Sequence, residues 1–136
     1  MSQTEATELL AAVQGFLRQS VLPQLEGFDA YTTRVAANSL AIVTREIAAR
    51  GTLDALDHAA AARWLPLSPA TEQPARALGL ALRDGSLQPD ADLVSYLRQR
   101  TLRQMAIDNP RYSAFKQARQ RWPEIAALAS EQGSRA

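Results

Sequence analysis

The 136-residue sequence contains no cysteine, one lysine, one histidine and no excess of charge, with 15 basic against 14 acidic side chains. Each shortage closes off a class of function. Without cysteine there is no disulfide framework, no thiolate zinc site and no thiol nucleophile. A net charge of +1 gives no global attraction to nucleic acid or to an anionic membrane. No apolar run approaches the ~18–20 residues that cross a bilayer. Met1-Ser2-Gln3-Thr4-Glu5 lacks the basic and apolar regions of a secretion signal, so a cytoplasmic protein is expected. Six Gly and seven Pro are too few for a disordered or collagen-like chain.

What is abundant is Ala and Leu, about a third of the chain, together with Arg, which lose little rotamer freedom in a helix. An all-α fold follows: a compact bundle of five to six helices within one domain, 1–136, with a frayed tail at about 130–136. The first helix is expected to start near Thr4 or Thr7 and to carry Leu9, Leu10, Val13, Phe16 and Leu17 on one stripe. Pro23 then kinks or ends it. A long central helix is expected over about 28–50, capped by Gly51. At about 100° per residue it carries two apolar arcs, one of Tyr31, Val35 and Ile42 and the other of Ala36, Leu40, Val43 and Ile47. Thr52 should cap a third helix to Trp64, and Leu65 to Pro74 should form the longest loop. A fourth helix ends at Gly85, and a fifth, capped by Asp90, stops at Asn109-Pro110. Shorter helical pieces follow to Ala129.

Two polar concentrations stand out. Arg34, Asn38 and Arg45 fall within about 40° of one another beside the Tyr31 arc, with Glu46 next to them. Guanidiniums at the edge of a core need anions or carbonyls. The strip is therefore either an anion site for an acyl or phosphorylated metabolite or a partner's acidic group, or a latch paired with Glu46 or Asp108. Asp108, Asn109, Arg111 and Tyr112 form the second concentration, which serves as a helix-ending corner or as a ligand or partner contact. His58, the only histidine, follows Asp57, and the two point about 100° apart on a helix, which suits a structural role better than a general base. No nucleophile–base pair, metal-ligand set or phosphate loop emerges, so no catalytic residue, metal or cofactor is expected.

Residues 98–136 hold eight basic and three acidic side chains, whereas residues 1–97 hold seven and eleven. Arg98, Arg103, Lys116, Arg119 and Arg121, with Tyr112, Phe115 and Trp122 interleaved, form a possible docking face. No helix-turn-helix or single-strand platform accompanies them, and nucleic acid is not expected.

Glu8-Leu9-Leu10, Phe16-Leu17 and Val21-Leu22-Pro23, followed by Arg34-Val35-Ala36-Ala37-Asn38, Leu40-Ala41-Ile42-Val43 and Arg45-Glu46, resemble an uncharacterised bacterial family of small helical proteins classed as a domain of unknown function. The stretch from Ala106 to Ser113, Ala-Ile-Asp-Asn-Pro-Arg-Tyr-Ser, is similar to that family's closing motif, and the likeness covers about residues 5–116. The resemblance implies genes near phosphotransferase-like kinases and acyl-CoA dehydrogenases, and hence an accessory role beside such a partner enzyme. A homodimer through an exposed apolar helix face is the alternative association expected.

Overall fold

The computed structural model describes residues 1–66 and 73–130. Among the described residues the secondary structure is helical throughout, with no strand, as the composition predicts. The middle of the expected loop and nearly all of the expected frayed tail lie outside the described residues. The α-helices are α1 (Gln3–Phe16), α2 (Gly27–Trp64), α3 (Pro74–Asp84), α4 (Ala91–Asp108), α5 (Ser113–Arg121) and α6 (Pro123–Ser130). They fall into two compact units, Met1–Arg50 and Gly51–Ala136.

In the first unit α1 starts earlier than Thr4 because Ser2 and Glu5 form a reciprocal capping box. The Ser2 hydroxyl accepts from the Glu5 amide at 3.2 Å, and the Glu5 carboxylate accepts from the Ser2 amide at 2.7 Å. The helix then widens into a π-helical turn over Leu17–Val21, closed by the Leu22 amide donating to the Leu17 carbonyl. A 3₁₀ turn, Leu22–Gln24, follows. Pro23, with no amide hydrogen and a ring that crowds the preceding turn, accounts for this change of hydrogen-bond ladder. Gly27, at φ 56°, turns the chain into α2.

α2 departs most from the expectation. It does not end at Arg50 with Gly51 as its cap, and Thr52 starts no separate helix. It runs unbroken for 38 residues. Gly51 does not take the left-handed conformation of a C-terminal cap. An interior Gly costs only about 1 kcal/mol relative to Ala, which the strong helix formers on either side and the burial of Leu53, Ala60 and Ala61 beyond it offset.

In the second unit Ala60 and Ala61 of α2, Leu78 of α3, and Leu93 and Tyr96 of α4 form one buried cluster, bordered by Leu56, Trp64, Leu82 and Leu87. A second cluster joins Leu102 of α4, Phe115 of α5 and Ile125 of α6. Local signals in this unit act where the sequence places them. Gly85 ends α3 at φ 80°. Asp90 caps α4 by accepting from the Leu93 amide at 2.7 Å and accepts from the Trp64 indole at 3.2 Å, and these donors hold its carboxyl below the usual carboxylate range. Asn109-Pro110 ends α4.

Candidate functional site

Two features of the structure are candidates: an uncovered apolar stripe on α2, and a buried polar chain in the second unit.

The stripe arises because α2 uses its other side against α1. The Gln3 side-chain amide donates to the Ile47 carbonyl, and the Arg18 guanidinium donates to Asn38 Oδ1 at 2.8 Å. These bonds set the two helices in opposite directions. The part-buried positions Ala6, Leu10 and Gln14 of α1, Leu17 of the following turn, and Thr33, Leu40, Thr44 and Ile47 of α2, with buried Ala37, recur every three or four residues, consistent with the side on which these bonds join the two segments. Phe28, Tyr31, Val35 and Ile42 point about 120–180° away from Ala37. They are 75%, 60%, 44% and 37% exposed. The Tyr31–Val35–Ile42 arc is therefore apolar, as its spacing predicts, but faces outward and not into a core. On α1, Leu9, Val13 and Phe16 are also exposed.

The arginine strip borders this stripe. Arg34 is exposed and makes no ion pair among the described residues. Asn38 is exposed and takes Arg18, a residue the sequence pattern does not single out, as its partner. Arg45 and Glu46 are half-buried. These four belong to the first unit, whereas Asp108, Asn109, Arg111 and Tyr112 belong to the second.

The second unit contains a polar chain that the sequence does not reveal. Asp57, buried on α2, accepts from the Tyr96 hydroxyl at 2.8 Å and from Arg100 Nε, which lies 3.0 Å from both carboxylate oxygens. Arg100 also donates to the Gln104 side-chain oxygen at 2.9 Å, and the Gln104 amide donates to Asp108 at 3.1 Å. Asp108 is thus the exposed end of a chain that begins in the core. Burial, reinforced by the bond to Asp57, pushes the Tyr96 phenol above its ordinary value. Through its bonds to Tyr96 and Arg100, Asp57 ties α2 to α4. Its neighbour His58 is exposed, with Nδ1 2.8 Å from the Asp54 carbonyl one turn back.

At the Asn109-Pro110 corner the Tyr112 amide donates to the Asn109 carbonyl at 3.0 Å, while Arg111 and Tyr112 remain exposed. The basic face differs from the expectation in two respects. Arg103 is buried. Two of the three aromatic rings, meanwhile, are engaged within the unit: Trp122 lies under both Arg98 and Arg121, at 4.9 and 5.3 Å, and Phe115 is buried with Arg119 at 5.7 Å. Two open grooves of about 340 and 380 Å³ lie in this unit. The first is bridged by the Arg63–Asp92 ion pair, with Arg63 stacked on Trp64. The second runs from His58 to Arg76. No cluster of three or more metal-ligating side chains occurs among the described residues. No described helix is long and apolar enough to cross a membrane.

No match is found among curated proteins or solved structures. A family model does match, over residues 23–112, a range that takes in the α2 stripe, the arginine strip, the Asp57 chain and the corner through Tyr112 but leaves out α1. The chain belongs to that family, described as Domain of unknown function (DUF6285).

Proposed function

We propose that this chain is a cytoplasmic, non-enzymatic interaction or accessory protein that docks through the Phe28–Ile42 stripe of α2. The observation that carries this reading is the imbalance within the first unit. Of its 50 residues only Ala37 is buried, while two aromatic and two β-branched side chains line an open face of its longest helix. Exposed apolar area costs about 25 cal/mol per Å² in water, and contiguous apolar patches of this kind mark interaction sites. The partners to test first are the phosphotransferase-like and acyl-CoA dehydrogenase-like enzymes that the family resemblance implies as genomic neighbours.

The test is titration of each purified enzyme with the wild-type chain and with Val35→Glu. A charge at the centre of the stripe is expected to weaken binding at least tenfold while leaving helicity unchanged. Equal binding by the two proteins would contradict the reading.

One observation favours a second reading. The Arg18–Asn38 bond adds a third guanidinium to the strip of Arg34 and Arg45, a grouping suited to a phosphate or carboxylate of an acyl or phosphorylated metabolite. Calorimetric titration with inorganic phosphate and with an acyl phosphate tests it. Heat that is lost in Arg34→Met supports an anion site, and no heat with either compound contradicts it.

A further inference from the structure

We propose that α2 is hinged at Gly51: it interconverts between the unbroken helix and a state in which Gly51 ends one helix and Thr52 starts another. The inference does not depend on what the α2 stripe binds.

The joint lies where α2 is least supported. The boundary between the two units falls between Arg50 and Gly51. The bonds from the first helical segment reach Asn38 and the Ile47 carbonyl, and the buried residues of α2 in the second unit begin at Leu53. None of residues 38–52 is buried. A helix in a protein owes most of its stability to the packing of one face and little to propensity, so residues 48–52 are where α2 opens at least cost.

Gly51 has no use in the unbroken helix. Its φ is not positive, and a Cβ there would meet no atom within 4 Å, so neither backbone conformation nor close packing requires glycine. Gly15 and Gly79 have the same open surroundings, but Gly15 adjoins the π-helical turn and Gly79 lies between buried Leu78 and Ala81. On the N-terminal side of Gly51 the nearest buried residue is Ala37. What glycine supplies best is the left-handed conformation that ends a helix, and only the broken state uses it.

The neighbouring side chains suit that state. Thr7, Thr32, Thr44 and Thr101 each donate a hydroxyl to a carbonyl one turn back, whereas Thr52 makes no side-chain bond among the described residues. Its hydroxyl is free to accept from the amide of Asp54 or Ala55, as a helix N-cap does. Arg50 and Asp54 stand one turn apart with the base first, the less favourable order within a helix, and they form no ion pair among the described residues. After a break Arg50 falls in the last turn of one helix and Asp54 in the first turn of the next, where the helix dipoles favour each. Arg45 and Glu46 stay in the first segment in both states and do not discriminate between them. A partner that prefers one state would draw the equilibrium toward it.

The absence of native cysteine allows spin labels to be placed at introduced positions alone, on the full chain. Val43→Cys with Ala59→Cys spans the joint, and Thr32→Cys with Ala48→Cys lies before it. All four positions are exposed, and each pair is 16 residues apart, about 24 Å along an unbroken helix. Double electron-electron resonance is expected to give one distance for the pair before the joint. For the spanning pair it is expected to give the same distance together with a second, shorter population of about 5–10%. Gly51→Ala is expected to lower that population about fivefold, the fold-change to which the helix-propensity difference between Gly and Ala corresponds. Thr52→Val, which keeps the size of the side chain and removes its hydroxyl, is expected to lower it at least twofold, with circular dichroism checking that both variants are folded. A spanning pair with only the distance of the other pair, or a second population that stays unchanged in Gly51→Ala or in Thr52→Val, overturns the proposal.

Discussion

The two halves of the molecule bury very different amounts of what they carry. The second unit closes two apolar clusters around Leu78, Leu93 and Tyr96 and around Leu102, Phe115 and Ile125. The first unit fully buries Ala37 and leaves Phe28, Tyr31, Val35, Leu9, Val13 and Phe16 facing out. Buried apolar clusters form in one region, and an exposed apolar face remains in the other. Burial places most of the apolar packing in the second unit, and the proposed docking role falls to the first.

The largest test of this contrast is a pair of truncations. Leu93 is fully buried, and Leu93→Ala should cost about 2–5 kcal/mol in urea unfolding through lost transfer energy and the cavity left behind. Val35→Ala, on the open face, should cost under ~0.5 kcal/mol in dilute protein. Equal costs would erase the distinction. Next comes the polar tie within the second unit. Asp57→Ala strands the Arg100 guanidinium and the Tyr96 hydroxyl, and because Arg100 is partly exposed the expected loss is near the lower end for a broken buried pair, about 3 kcal/mol. A loss below ~0.5 kcal/mol would show that the chain from Asp57 to Asp108 contributes little.

The smallest effect is in pH. The folded chain holds the Tyr96 proton more tightly than the unfolded chain does. The resulting stability is complete below the ordinary phenol value of 10.0 and falls as pH rises above it. Tyr96→Phe should lack this alkaline fall in a pH series of urea midpoints, and the same fall in both proteins would assign it to other groups.

Features set by near neighbours were legible in the sequence, and features set by distant ones were not. Gly85, Asp90 and Asn109-Pro110 act on backbone groups within a few residues, and each stops or starts a helix where its chemistry requires. The Ser2–Glu5 capping box is equally local; the apolar stripe of the first helix begins only at Leu9 and does not mark where the helix starts. Gly51 carries the same local signal as a helix-ending glycine, but the outcome there was decided by burial beyond it, of Leu53 and of Ala60 and Ala61, the last two clustered with Leu78 of α3 and Leu93 and Tyr96 of α4, which no short window contains. Asp57 gave no sign of its role because Tyr96 and Arg100 are 39 and 43 residues away. The apolar arc of Tyr31, Val35 and Ile42 was visible as periodicity. Periodicity tells which residues share a face but not what covers it, and here α1 took the opposite side.

Hydrogen exchange with and without a bound partner tests the central claim most directly. In the free chain the amides of residues 28–45 should exchange much faster than those around Leu93, and should gain protection as the partner that covers the stripe is added, while the Leu93 region stays unchanged. Full protection of residues 28–45 in the free chain, equal to that of α4, would contradict the account.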